Sequence, residues 1–292
     1  MQTLNDYLKN KYGYKVYKIS LDAGMSCPNR DGKVSFGGCS FCNAGGSGDF
    51  CGREKDLDLQ IEDAKALVER KLKGTAERKY IAYFQAFTNT YASVERLREI
   101  FSKVIKREDI LGLSIGTRPD CIPEDVLELL CELNSIKPVW VELGLQTIHE
   151  KTAKDMNRGY ALPVFEDTYK RLKAAGIKTV VHLILFYPGE SREDMLASVK
   201  YVGNLHPFGV KLHLLQVLKG TEIARRYEEE KFYLPTLDEY AEFLKEALKL
   251  IPEDTVLHRI TGDGPKSLLT APLWCGDKKR VMNKLKKELV IY

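Results

Sequence analysis

No apolar run among the 292 residues reaches the ~18 that a membrane-spanning helix needs. The first residues, MQTLNDYLKNKYGYK, lack the apolar core of a secretory signal. Both absences predict a cytoplasmic protein with no membrane partner. A large charge of one sign is missing too. Lys and Arg number 45 against 41 Asp and Glu, a formal net charge of +4, so the chain is not committed electrostatically to nucleic acid. The bases are uneven, however: Lys9, Lys11, Lys15 and Lys18 lie near the start, and Lys278, Lys279, Arg280, Lys284, Lys286 and Lys287 near the end. Each cluster reads equally as a phosphate-attracting face or as a solvated helix surface. No second domain boundary is evident, and 44% hydrophobic with 29% charged residues excludes global disorder. Cysteine is not scarce. Seven of them in a reducing compartment argue for metal binding or free thiols rather than a disulfide framework.

Short β-branched runs alternate with longer amphipathic stretches. Strands are expected at Tyr14–Leu21, Lys79–Gln85, Ile110–Gly116, Val139–Leu145, Thr179–Phe186 and Val210–Val217. Helices are expected at Leu59–Lys73, Ser93–Lys106, Glu124–Asn134, Pro163–Ala175, Arg192–Leu205 and Leu237–Leu250. In the first of these, Ile61, Ala64, Leu67, Val68 and Leu72 recur at helical spacing. Pro123 suits a first helical turn and Gly176 a helix end. Strand–helix units in series imply a parallel sheet with right-handed crossovers. Six such units fall short of a closed eight-unit barrel, so an α/β open partial barrel is expected. Val256–Thr261 reads as a seventh strand or edge addition, and a last helix near Lys278–Val290 as a cover for the open side.

The longest stretch without periodicity is Asp22–Asp56, rich in glycine and holding four cysteines. A loop of that length in a compact domain is usually functional. It follows the first strand, and functional groups of parallel α/β folds sit at the carboxyl ends of strands. Within it, Cys39 and Cys42 are separated by two residues, a gap that lets two thiolates face one metal centre. Cys27 supplies a third from across the loop. Gly37 and Gly38 permit backbone angles closed to other residues, and their amides are suited to donate to cluster sulfur. Three thiolates on a four-iron cubane leave one iron open to a chelating ligand. A structural zinc site with Cys51 as fourth ligand stays open on spacing alone, as does a closed four-thiolate cluster for electron transfer. The loop's place after strand one favours the open cluster. Cys121 and Cys131 read as buried inert thiols, and Cys275 is left unplaced.

CPNRDG and GGCSFC in this arrangement resemble the radical SAM enzymes. The chain is more closely similar to their YtqA/YhcC branch, itself related to the radical SAM part of the Elongator catalytic subunit. The resemblance extends through FQAFTNTYA at 84–92, TRPDC at 117–121, VELGLQT at 141–147, NRGY at 157–160, HLILFYPGE at 182–190, and HRITGDGP and APLW near the end. It implies one radical SAM domain over residues 1–292, a partial (βα)6 TIM-like barrel with a C-terminal extension. Residues 22–56 would be the cluster-binding loop, and about 255–292 the extension packed on the barrel.

The implied cofactors are one [4Fe–4S] cluster, held by Cys27, Cys39 and Cys42, and S-adenosyl-L-methionine. The open iron would bind the amino and carboxylate groups of the latter. One electron, from a donor such as flavodoxin or ferredoxin, would then cleave it to methionine and a 5′-deoxyadenosyl radical. Gln85, Gln146, Arg158 and His182 stand where relatives contact the cofactor, with the Arg158 fork suited to the methionine carboxylate. The usual Gly-Gly-Glu after strand two is absent; Gln85, Thr88 and Asn89 occupy its place. Residues alone also allow His182 to be an ordinary barrel histidine. The branch implies tRNA as partner, with removal of the carboxymethyl part of 5-carboxymethylaminomethyluridine at the wobble position. No catalytic acid or base at the substrate is assigned. Radical SAM chemistry on a small metabolite or a protein, and a zinc-stabilised RNA-binding module, are the competing readings.

Overall fold

A computed structural model describes residues 1–46, 48–52, 56–72, 77–262 and 264–289. In chain order it opens with α1 (Leu4–Tyr12), β1 (Tyr17–Leu21), α2 (Leu57–Glu69), β2 (Tyr80–Phe84), α3 (Val94–Ile105) and β3 (Ile110–Thr117). There follow α4 (Glu124–Ile136), β4 (Val139–Gln146), α5 (Glu150–Asp155), α6 (Leu162–Ala174), β5 (Lys178–Leu185), α7 (Arg192–Asn204) and β6 (Gly209–Leu214). The last part holds β7 (Val217–Leu218), α8 (Glu222–Glu229), α9 (Leu237–Ala247), β8 (Val256–Arg259), β9 (Leu269–Ala271) and α10 (Lys278–Leu289). The expected helix ends at Lys73 and Val290 lie outside the described residues.

β1, β2, β3, β4, β5, β6 and β8 form one sheet in that order, every pairing parallel. This is the expected α/β partial barrel, and the stretch expected at Val256–Thr261 forms a seventh parallel strand that ends at Arg259. Successive side chains of a strand point to opposite faces. On the outer face Ile19, Phe84, Ile115, Val141, Leu183 and Leu212 are fully buried, in one core with Leu97 and Phe101 of α3 and Leu129 and Leu133 of α4. The crossover helices therefore lie outside, and the other face of the same strands looks into the barrel.

The seam between β1 and β8 is spanned by α1 rather than by the last helix. Thr3 forms a parallel bridge to Leu257, and the Leu257 amide donates to the Gln2 carbonyl at 2.8 Å. Leu8 then joins Val16, Ile81 and Trp140 in a small apolar cluster. The helix was legible: Thr3 and Asp6 form a capping box, and Gly13 ends it at φ 80°. α10 instead buries Val281 and Leu285 and pairs Lys284 with Asp238 of α9 at 2.7 Å. The expected strand Val210–Val217 stops at Leu214; Val217 pairs antiparallel with Ala271 in a separate ribbon.

Candidate functional site

The cysteine loop leaves the carboxyl end of β1 and is tied down by its own polar residues. Asn29 is fully buried, donates to the Asn157 carbonyl and has Nδ2 3.6 Å from the Cys39 sulfur. The Arg30 guanidinium donates to the carbonyls of Cys42, at 3.0 Å, and Asn43. The Cys42 amide donates to the Cys39 carbonyl at 2.9 Å, which closes the two-residue gap as a turn. Ser40 anchors the loop to the remainder: its amide donates to the Met156 carbonyl, and its carbonyl accepts from the Ile223 amide, each at 2.9 Å. Gly37 and Gly38 adopt φ of 78° and 86°, as expected. The Gly38 amide, however, donates within the loop, to the Asn29 carbonyl at 2.8 Å.

Cys27, Cys39 and Cys42 border one cavity of about 190 Å³ at the carboxyl ends of the strands, with Gln85, Gln146, Arg158 and His182 in the same lining. A second cavity of about 160 Å³ shares Phe41, Gln85, Gln146, His182, His213 and Arg259 with it. All seven cysteines are free thiols. Burial, then neighbouring Cys42, pushes the Cys39 thiol up to about 12, and burial pushes Cys42 up as well. Among the described residues, no three His, Cys, Asp or Glu side chains are grouped so as to hold a single metal ion. The three sulfurs border a shared space instead. The donor set is purely soft thiol, which suits iron–sulfur or zinc chemistry and not magnesium or calcium.

Cys51 is absent from the lining of this cavity, and burial, with nearby Asp22, pushes its thiol up to about 12. Cys121 is buried beside Asp120, 3.8 Å from its Oδ1. Cys275 packs against the core beneath β9.

The four polar residues expected around a cofactor are engaged differently. Gln85 accepts from the Ser20 hydroxyl at 2.9 Å. Gln146 ends β4 at φ 68°, where the β4–β5 register shifts. A non-glycine residue in that region costs of order 1–3 kcal/mol and marks a position whose geometry is imposed by its surroundings. Arg158, 1% exposed, donates to the carbonyls of Leu145, Thr147 and Tyr160 at 2.7–3.0 Å. Nε and Nη1 thus brace the end of β4, while Nη2 lies 3.4 Å from the Glu150 carboxylate. His182 lies 2.8 Å from Glu142. Asn89 holds the carbonyls of Phe84 and Gly116 at 3.0 and 2.9 Å, and Thr88 reaches the lining.

The motif reading passed over what lies beneath. Inward positions of six strands form a buried polar layer. The Glu142 carboxylate accepts from Lys18 and Lys211, from the Ser114 hydroxyl at 2.5 Å and from His182. Lys211 also reaches the Tyr83 hydroxyl at 3.1 Å. Burial pushes the Glu142 carboxyl up, but Lys18, Lys211 and His182 together hold it well below the usual carboxylate range. Burial, then Lys211, brings His182 down to about 4, so it is a neutral imidazole. Lys18 was expected among a surface cluster; the structure turns it into the barrel because it occupies an inward position of β1. The signal was available: a charged residue inside each of the apolar runs YKISL, VWVELGL and GVKLHL. Strands covered on both faces normally read as continuous apolar runs.

An open parallel half-barrel with a three-cysteine loop after its first strand defines a class. The chain belongs to the radical SAM superfamily: the family model described as Radical SAM superfamily matches residues 31–202, and the Radical_SAM C-terminal domain matches 207–290. Cys39 and Cys42 fall inside the first match, and Cys27 just ahead of it. More particularly, the chain is 46% identical over 288 residues to the uncharacterized protein YtqA of Bacillus subtilis, covering 98% of this chain and 88% of that one. It is 37% identical over 283 residues to protein YhcC of Escherichia coli, covering 97% and 90%. Elongator complex protein 3 of Schizosaccharomyces pombe is 25% identical over 174 residues, 59% of this chain and 31% of its own. The fold is that of the archaeal Methanocaldococcus infernus Elp3, with a TM-score of 0.65 at 21% identity, covering 94% of this chain and 63% of that one. The chain thus spans less than two thirds of that structure. No helix among the described residues is long and apolar enough to cross a membrane.

Proposed function

We propose that Cys27, Cys39 and Cys42 hold one [4Fe–4S] cluster, and that this cytoplasmic radical SAM enzyme acts on a tRNA wobble uridine. The observation that carries the proposal is the convergence of three thiols with Gln85, Gln146, Arg158 and His182 on one cavity at the strand ends. When bound, the cluster would supply the electron that splits S-adenosylmethionine and so produces a hydrogen-abstracting radical. The protein's part is binding, orientation and exclusion of water. Gln85 and Gln146 offer polar contacts at the rim. Arg158 positions the ends of β4 through its carbonyl contacts. A donor of the flavodoxin or ferredoxin kind would provide the electron.

The tRNA part rests on likeness to the Elongator protein and on charge. Lys15, Lys278 and Lys286 from the two ends of the chain line one groove of about 500 Å³ beside α1, and Arg259 borders both this groove and the cavity. Basic groups so placed suit phosphate. The reaction we assign is oxidative loss of the carboxymethyl part of 5-carboxymethylaminomethyluridine. A hydrogen atom would leave the methylene next to the carboxylate, an electron would then pass to the carrier and a proton be lost, and water would hydrolyse the resulting imine to glyoxylate and 5-aminomethyluridine. Nucleoside mass spectrometry of tRNA after reaction with reduced enzyme and S-adenosylmethionine tests it. Conversion of the wobble nucleoside is expected; formation of 5′-deoxyadenosine with that nucleoside unchanged would exclude this substrate.

A further inference from the structure

The charges facing the cavity do not balance. Its lining carries Arg30, Arg118, Arg158, Lys211 and Arg259 against a single acid, Glu142. Arg30 is spent on backbone carbonyls, Arg158 on backbone carbonyls and Glu150 at 3.4 Å, and Arg118 is paired with Asp120 at 2.7 Å. Deeper in, Lys18 and Lys211 share the one Glu142 carboxylate. Each ammonium has three N–H donors. Lys18 is given Ser114 and Glu142 as acceptors, and Lys211 is given Tyr83 and Glu142. His213 lies one layer nearer the mouth and lines both cavities. Its buried Nε2 has no hydrogen-bond partner among the described residues. Burying cations in excess of anions is costly unless a further acceptor completes them. Gly116 and Gly144 border the same space, and the Gln146 amide packs against Gly144.

We infer that this layer is a subsite for a carboxylate carried by the substrate, with Lys211 as its charged contact, His213 as a further donor, and Lys18 behind them on the shared Glu142 carboxylate. The inference rests on the reading above, in which the group to be removed is itself a carboxymethyl group. Burial, and then the like charges of Lys18 and Arg259, bring the Lys211 ammonium down to about 7 in the free protein, against the opposing pull of Glu142. A bound carboxylate relieves that repulsion. Glu142 thereby acts as a positioning residue, holding Lys211 at the cavity through one oxygen and Lys18 behind it through the other.

The same acidic chemistry is present in the methionine half of S-adenosylmethionine, so the test separates the two sources. The free nucleoside 5-carboxymethylaminomethyluridine and its carboxamide are titrated calorimetrically into the reconstituted full-length enzyme with S-adenosylmethionine bound. The acid is expected to bind at least tenfold more tightly than the amide. Lys211→Met should remove most of that preference, Lys18→Met should reduce it less, and Lys211→Arg should retain part of it. If Lys211→Met does not fold, the triple change Lys18→Met, Glu142→Leu and Lys211→Met removes the charges together, and it should lose the preference as well. Equal binding of acid and amide, or binding of neither, overturns the inference. So does a Lys211→Met enzyme whose main loss is in affinity for S-adenosylmethionine, because the carboxylate would then be the cofactor's. Conversion of the tRNA base without acid preference would keep the wobble reading and remove this subsite. Acid preference without conversion would keep the subsite and remove the wobble reading.

Discussion

The two faces of one sheet follow opposite rules. Outward residues such as Ile19, Val141 and Leu183 are apolar and fully buried, and any well-packed set would serve. Inward residues of the same strands, Lys18, Glu142 and His182, are polar and ionised or ionisable, and almost as deeply enclosed. The outer face explains why the chain folds. The inner face weakens that fold, since a buried ion cluster contributes less than apolar packing of equal volume. It is explained by what the barrel holds.

Changes on the two faces should therefore fail in different ways. The largest effect is expected from Glu142→Ala, which leaves two buried ammonium groups without their shared carboxylate. Breaking a buried pair costs about 3–5 kcal/mol, measurable by urea unfolding; a loss under about 1 kcal/mol would mean the layer is wet and screened. On the next position of β4, Leu143→Ala opens a cavity in the outer core and should cost about 2–5 kcal/mol. The folded fraction of that variant should keep its activity per molecule, and a selective loss of turnover would break the comparison. The triple change Lys18→Met, Glu142→Leu and Lys211→Met removes the ions together. Unfolding curves should place it at or above wild-type stability, because apolar replacement of a buried ion group is commonly neutral or stabilising, whereas substrate turnover should be lost.

A smaller effect is expected with pH. The Lys211 ammonium, ordinarily near 10.5, is brought down to about 7 by burial. Between these values the unfolded chain binds the extra proton, so stability attributable to Lys211 rises with pH over that window. The charged and titratable groups facing it are Glu142, Lys18, Arg259, Tyr83, His182 and His213. Denaturant midpoints at pH 7 and pH 9 should diverge less in the triple variant than in the wild type. An unchanged difference would show that another group dominates.

The outer face was legible in the sequence and the inner face was not. Apolar runs and helical spacing located the six strands and the crossover helices, because burial of one face against helices writes itself as periodicity. The cysteine loop was legible from spacing and glycine content. Lys18, Glu142 and Lys211 were passed over because each is a lone charge in an apolar run, and only pairing across six strands brings them together. Arg158 was read as a ligand for a carboxylate; its Nε and Nη1 meet the carbonyls of Tyr160, Leu145 and Thr147, and its Nη2 lies 3.4 Å from the Glu150 carboxylate. α1 was missed although Thr3, Asp6 and Gly13 mark both its ends, since a nine-residue helix has little periodicity to detect.

The account rests on three cysteines bordering the cavity and a fourth that does not. Cys27→Ala, Cys39→Ala, Cys42→Ala and Cys51→Ala, each reconstituted without oxygen, should be compared for bound iron and sulfide and for 5′-deoxyadenosine formed from S-adenosylmethionine. The account predicts that the first three lose the cluster and at least 100-fold in cofactor cleavage, an effect of about 2.7 kcal/mol or more, and that Cys51→Ala retains both. A wild-type protein that binds about one zinc and no iron, as a four-thiolate site would, or a Cys51→Ala protein that loses cluster and cleavage, would contradict it.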